Sequence, residues 1–314
     1  MDLPSVLDAK RRIAPYLPRT PLHHYPGLDE VTGTETWVKH ENHQPLGAFK
    51  VRGGINLVSQ LSDDERAAGL IAASTGNHGQ SVAYSASVFG VPATICVPEN
   101  ANPMKMDAMR RFGAELIPIG RDFDDAREHA EKLAQERGYR YVHSGNEPLL
   151  IAGVGTYTLE MFEDVPDLDV IFVPIGGGSG AAGACVVTKA IAPQTQVIGV
   201  QSAAAPAAYR SWKEGRLVED KMETFAEGLA TRTAFELPQK ILRDLLDDFI
   251  LVSEDELRHA MRVTIEMTRN LAEGAGAAAL AGALKLKAQL AGKKVAVVCS
   301  GGNVTTQQLR DLLG

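Results

Sequence analysis

Cysteine is scarce in this sequence. Three occur in 314 residues, Cys96, Cys185 and Cys299. Cys96 and Cys299 lie in apolar strand-like runs and Cys185 in a small-residue helical stretch, and no two stand at metal-ligand spacing. A disulfide framework and a thiolate metal centre are thereby set aside, and buried thiols in a reducing cytoplasm are expected. Long hydrophobic runs are missing as well: no stretch reaches the roughly 20 apolar residues that a membrane helix needs. Met1-Asp2-Leu3-Pro4-Ser5 lacks the charged-then-apolar opening of a secretory signal. Positive charge is not in excess. Lys and Arg number 32 against 39 Asp and Glu, a net charge of −7, which argues against nucleic acid or an anionic membrane as a main partner. There is no solenoid-type repeat and no low-complexity linker.

What is present is an ordinary globular composition, 45% hydrophobic and 23% charged, in a chain long enough for one large or two medium domains. A helix is expected over 5–17, stopped by Pro18, and a strand over 35–41. From about residue 69 short apolar strands alternate with helices: strands at 70–73, 93–97, 115–119 and 139–142, helices at 80–89, 102–112 and 122–138. Asn102-Pro103 reads as an N-cap and first helical residue. A second series follows, with a helix over 148–162, the apolar strand 170–175, an alanine-rich helix, a strand over 196–201, a capping box at Ser253–Glu256, an alanine-rich helix over 274–290 and a strand over 294–299. The region 203–235 gives few signals. The alternation predicts parallel sheets with helices on both faces, in two lobes whose strand ends meet at a cleft.

Four stretches carry chemistry. In Gly47-Ala48-Phe49-Lys50-Val51-Arg52-Gly53 a lysine stands at a helix start, where the positive dipole end disfavours a second positive charge, so a neutral, covalently used amine suits the position. Gly176-Gly177-Gly178-Ser179-Gly180 joins a buried strand to a helix. Its consecutive glycines let N–H groups converge on one anion, as in a phosphate cradle, although no Gly-Lys-Ser/Thr of the Walker pattern ends it. Ser74-Thr75-Gly76-Asn77-His78-Gly79 reads equally as a carboxylate-binding loop or an ordinary capped helix start. Ser300-Gly301-Gly302-Asn303, by itself a turn, places a hydroxyl after the last strand.

Taken together and in this order, the four stretches resemble the fold-type II pyridoxal-phosphate enzymes, in the branch of threonine/serine dehydratases (ammonia-lyases) and serine racemases. The resemblance spans nearly the whole chain. It implies a tryptophan synthase β-like, two-lobed, three-layer α/β fold with parallel-rich sheets. Residues 1–67 and 147–314 would form a large cofactor-binding domain, and 68–146 a small mobile one. It implies that Lys50 holds the cofactor as a Schiff base and acts as the base at Cα, and that Phe49 flanks the ring. Asn77 would bond the phenolic oxygen. Gly176, Gly177, Gly178, Ser179 and Gly180 would hold the phosphate, and Ser300 would meet the pyridine nitrogen. Ser74, Thr75, Gly76 and His78 would bind the substrate carboxylate, with Thr75 also facing the reaction opposite Lys50. Glu273 matches a family glutamate near the cofactor, or is a helix-start carboxylate. Glu223, Ala226 and Glu227 resemble an acidic loop that holds Mg2+ or Ca2+ in relatives. Relatives also suggest a homodimer, and the early end of the chain suggests no regulatory domain of the biosynthetic deaminase type.

A neutral serine at the pyridine nitrogen leaves the ring a weaker electron sink than a carboxylate would, which favours prompt elimination over transamination. The expected activity is a cytoplasmic ammonia-lyase that converts a β-hydroxy-α-amino acid, L-threonine and/or L-serine, to a 2-oxo acid and ammonia. The family's Thr-Gly-Ser-Phe-Lys is here Leu46-Gly47-Ala48-Phe49-Lys50, and a threonine stands where racemases carry serine. The two hydroxyls lost beside the lysine weaken the case for threonine as substrate and the threonine counts against racemisation; a 3-hydroxyaspartate dehydratase or serine racemase is the alternative, and a β-replacement synthase a third. From a different class, the 176–180 loop is compatible with a dinucleotide-binding module, but the acid expected about twenty residues later is absent from Val197–Gln201. His23, His24, His40, His43 and the Asp122/Asp124/Asp125 cluster are read as structural, and Arg52 as a partner for a carboxylate.

Overall fold

The computed structural model describes residues 1–101, 103–121 and 123–314, with the side chain of Asp124 also left aside. The Asn102 cap and the Asp122/Asp124 part of the acidic cluster lie outside the described residues.

Two sheets organise the fold. Six strands, β1 (Leu22–His24), β2 (Glu35–His40), β7 (Val170–Pro174), β8 (Gln196–Ser202), β9 (Asp248–Val252) and β10 (Lys294–Cys299), form one, in the order β1-β2-β10-β7-β8-β9. The other holds β3 (Leu70–Ala73), β4 (Ala93–Val97), β5 (Glu115–Pro118) and β6 (Arg140–Tyr141), in the order β5-β4-β3-β6. Every pairing is parallel except β1 with β2. Central strands of a parallel sheet are covered on both faces and read as unbroken apolar runs. Val170, Ile171, Phe172 and Val173 accordingly have almost no exposed surface, and burying a side chain such as Phe172 contributes roughly 1.5–3 kcal/mol. Among the described residues no helix is long and apolar enough to cross a membrane.

Most strands fall where the sequence places them. β1 and β9 go beyond the reading, as do the helices Pro26–Thr32, Asp63–Ala68, Ala207–Glu214, Glu236–Leu245 and Thr306–Leu313. The first helix runs Leu3–Ile13, earlier than expected, because Asp2 caps it by accepting from the Ser5 N–H. The helix expected from residue 80 begins at Asn77, which puts Asn77 and His78 in its first turn. The alanine-rich helix breaks after Lys285.

The helix that begins at Lys50 (Lys50–Val58) is fixed by two unusual devices. It lies so close to the helix Pro148–Asp164 that a Cβ on Gly153 would come 2.5 Å from the Arg52 carbonyl, and one on Gly53 would come 2.8 Å from the Leu150 carbonyl. Beside that crossing Arg52 is fully buried. Its guanidinium donates to Glu41 (2.7 and 2.8 Å), Glu160 (2.7 and 2.8 Å), Thr156 and Thr20, and Lys39 Nζ donates to Glu160 at 2.6 Å. Burial opposes charge on Arg52, yet the two glutamates hold its pKa above the ordinary value. The expected carboxylate partner of Arg52 is thus two carboxylates from two elements.

Candidate active site

Lys50 opens its helix with no side-chain cap and no acid in the first turn. Nothing local neutralises an ammonium there, and burial lowers its pKa to about 8. Its Nζ points into a cavity of about 820 Å³ between the two sheets. It donates to Ser179 Oγ at 3.1 Å and to the Ser144 carbonyl at 3.3 Å. The ring of Phe49 lies 5.3 Å from Nζ.

Ser179 begins the helix Ser179–Ile191, and Gly178 before it has φ +89°, a conformation that favours glycine. Among the described residues the N–H groups of Gly176, Gly177 and Gly178 have no protein acceptor, and those of Ser179 and Gly180 fall in the helix's first turn, where none is available. A Cβ on Gly176 would meet the Gly228 carbonyl at 2.1 Å, and one on Gly180 the Phe49 ring at 3.1 Å. Tyr157 Oη, deep in the core, donates to the Gly180 carbonyl at 2.9 Å and fixes the turn from behind. The loop is therefore a nest of free donors at a helix N-terminus, which fits a phosphate group close to a lysine amine.

Opposite, Asn77 Nδ2 donates to Glu273 Oε1 at 2.6 Å, and Asn303 Nδ2 donates to Asn77 Oδ1 at 2.7 Å. Glu273 precedes the helix Gly274–Lys285 without capping it. Of its two sequence readings the geometry supports the one at the cavity. Burial raises its pKa. Asn303 Nδ2 also donates to the Leu46 carbonyl at 2.9 Å, while Phe49 N–H donates to the Ser300 carbonyl at 3.0 Å. The last loop is thereby sewn to the lysine loop. Among the described residues Ser300 Oγ makes one long bond, 3.4 Å to the Ala275 carbonyl.

Ser74, Thr75, Gly76 and His78 all line the same cavity. Ser74 Oγ accepts from the Gly76 N–H at 3.1 Å. Burial, and after it the Lys50 charge, push His78 down to about 3, so its ring is neutral. His78 Nε2–H donates to the Val142 carbonyl at 3.0 Å, which leaves Nδ1 for a ligand.

The acidic loop behaves otherwise. Glu227 lines the cavity but accepts from Lys105 Nζ, and Glu223 is mostly exposed beside Lys221. Among the described residues no group of three or more His, Cys, Asp or Glu could hold a metal. Ala226, between Glu223 and Glu227, is buried. His40 is buried and bonds Tyr25 Oη at 2.9 Å, which fits a structural role.

The sequence reading gives no role to Ser144, Asn303 or Lys105. A carbonyl contact has no residue signature, and Lys105 sits in a helix whose pattern looks solvated.

A family model described as "Pyridoxal-phosphate dependent enzyme" matches residues 13–301. The chain belongs to this family. The dinucleotide reading of the glycine loop falls away with that match, and the cofactor is pyridoxal phosphate. The chain is 40% identical over 311 residues to L-threonine ammonia-lyase of Thermotoga maritima, covering 98% of this chain and 77% of that protein. It is 37% identical over 310 residues to L-threo-3-hydroxyaspartate ammonia-lyase of Saccharomyces cerevisiae, covering 98% and 95%. Among solved structures, a threonine deaminase from tomato, Solanum lycopersicum (the processed form of isoform 2), superposes with a TM-score of 0.92 at 30% identity, over 99% of this chain and 93% of that one. A maize serine racemase does so with 0.94 at 32%, over 99% and 96%. With these relatives the pyridoxal-phosphate dependent enzyme stands among the family's lyases.

Proposed function

We propose that this enzyme is an ammonia-lyase that removes water from a β-hydroxy-α-amino acid, L-threonine and/or L-serine, and releases a 2-oxo acid and ammonia. The observation that carries the reading is the Lys50 amine, lowered by burial to about 8 and set 3.1 Å from the serine of a donor-lined glycine loop. Bound there, pyridoxal phosphate supplies an electron-withdrawing ring that acidifies the Cα–H of the amino acid. The residues do the rest. Gly176, Gly177, Gly178, Ser179 and Gly180 receive the phosphate. Phe49 walls the ring, and Asn77, braced by Glu273, offers its remaining amide hydrogen to the phenolic oxygen. Ser300, a neutral hydroxyl, would meet the ring nitrogen without fully protonating it, which would make the ring a weaker electron sink and favour loss of the β-hydroxyl over transamination. Lys50 Nζ takes the Cα proton; with its pKa lowered to about 8, roughly a tenth is neutral at pH 7, far more than in an ordinary lysine. Ser74, Thr75, Gly76 and His78 orient the carboxylate, and Thr75 stands ready to pass a proton on the other side.

The reading treats 68–146 as a small mobile domain closing over 1–67 and 147–314, and takes the enzyme to be a cytoplasmic homodimer. A second reading, a 3-hydroxyaspartate ammonia-lyase, is supported by the basic residues Lys105, Arg121, Arg127 and Arg232 along the cavity. Racemisation is expected to be minor, because the extra methyl of Thr75 crowds the side where a racemase uses a serine. The deciding experiment assays ammonia and 2-oxo acid from L-serine, L-threonine and 3-hydroxyaspartate, with and without Mg2+. Formation of 2-oxo acid from the first two supports the main reading. Activity on 3-hydroxyaspartate alone replaces it with the second.

A further inference from the structure

Lys105 is a buried cation at the edge of the cavity. It stands on the helix Pro103–Arg111 next to the four-stranded sheet, is 7% exposed, and lines the cavity. Its one ion pair among the described residues is with Glu227, from a short turn beside the other sheet. An ammonium has three donors, and this bond uses one. Glu227 is the weaker-held partner, with a side chain 40% exposed against 8% for Lys105. The lysine head also faces the start of the helix Asn77–Phe89: a Cβ on Gly76 would lie 3.7 Å from Lys105 Nζ. Its charge reaches further in, lowering the Glu273 pKa against the effect of burial.

We propose that Lys105 is a substrate-binding residue whose ammonium takes the α-carboxylate of the incoming amino acid in exchange for Glu227. The assignment rests on the reading above that the loop Ser74–Gly76 receives that carboxylate. Exchange is favourable for a stated reason. A buried ammonium cannot be left unpaired, so it holds one carboxylate until another arrives. The substrate carboxylate gains the helix N-terminus in addition to the lysine, whereas Glu227 gains only the lysine and regains full hydration when it leaves. Glu227 is thus a competitor, and removing it helps binding. A simple latch between the two sheets would behave in the opposite way, since either partner's loss would weaken it.

The test uses the holoenzyme and L-alanine, which has no β-hydroxyl to lose, with Kd read from the change in visible absorbance. Lys105→Gln is expected to raise Kd about tenfold or more, Lys105→Arg to restore most of it, and Glu227→Gln to lower Kd by about threefold or more, these being ratios of the size one charge-assisted bond gives. With L-serine the same changes fall on KM more than on kcat. Both neutral variants weakening binding together, or neither changing it, overturns the assignment. Should Lys105→Gln fail to fold, weaker binding by Glu227→Gln alone overturns it. A wild type that shows these shifts but forms no 2-oxo acid from serine refutes the reaction and leaves the assignment standing. A wild type that turns over serine while the variants move together refutes the assignment alone.

Discussion

Asn77 and Glu273, from opposite ends of the sequence, share a 2.6 Å hydrogen bond inside the cavity, with Asn77 Nδ2 donating to Glu273 Oε1. The bond settles which way the amide faces, because Asn303 donates to Asn77 Oδ1 on the other side. Glu273→Ala removes the acceptor and frees the amide. Loss of a buried hydrogen-bond partner costs about 1–3 kcal/mol. The expected result is a fall in kcat of roughly tenfold or more, together with a shifted visible absorbance maximum. An unchanged spectrum would mean that Asn77 does not depend on Glu273.

Lys50 should show its lowered pKa in the apo-enzyme. A lysine depressed to about 8 becomes neutral over a range where an ordinary lysine is still charged. The rate of colour development on adding pyridoxal phosphate should therefore rise with pH and level off above about 8. A rise continuing towards the ordinary lysine value of 10.5 would contradict the burial argument. The same shift has a stability consequence. The unfolded chain binds more protons at this site than the folded one between about 8 and the ordinary value of 10.5, so the site's destabilising contribution shrinks as pH rises through that window.

Arg52→Met leaves Glu41 and Glu160 facing one lysine in a dry site. Breaking a buried ion pair in this way costs about 3–5 kcal/mol. Chemical denaturation should show a loss of that size, and a loss under about 1 kcal/mol would put the network in water. Burial works against the Glu160 charge, but Arg52 and Lys39 still hold its pKa below the ordinary value. Its contribution is present above the unfolded pKa of roughly 4.3 and is lost as pH falls through the lower folded value.

Gly153→Ala tests the helix crossing under Lys50. The new methyl would stand 2.5 Å from the Arg52 carbonyl, a backbone atom that cannot turn aside. Overpacking of this kind costs about 1–3 kcal/mol. The lysine helix must shift, so thermal stability and kcat should fall together. A stable variant with full kcat would show that the lysine position tolerates such a shift.

The parts of this account that were legible beforehand share a physical cause. Parallel strands buried on both faces must be apolar runs, so β3, β4, β7 and β10 announce themselves. Glycines that let N–H groups converge cannot be replaced by ordinary residues, so the 176–180 loop is visible as a sequence. Arg52 beside Lys50 could be read as needing a carboxylate. Which carboxylates, Glu41 and Glu160, depends on how three elements pack, and nothing at residue 52 encodes that. The apolar run Phe249–Val252 of β9 follows closely on the leucines of the helix Glu236–Leu245 and is too short to tell strand from helix by itself, and the helix Ala207–Glu214 spans only eight residues. The Glu223/Glu227 pair, two acids close in sequence, reads as a cation loop, and nothing local shows that Glu227 also meets Lys105, contributed from over a hundred residues away.

The most direct measurement of the central claim follows purified holoenzyme, wild type and Lys50→Ala, with L-serine and L-threonine, quantifying 2-oxo acid, ammonia and D-amino acid together. The account predicts equal amounts of 2-oxo acid and ammonia from the wild type, little D-amino acid, and neither turnover nor lysine-bound cofactor colour in Lys50→Ala. D-amino acid as the main product, or turnover that survives loss of Lys50, would contradict it.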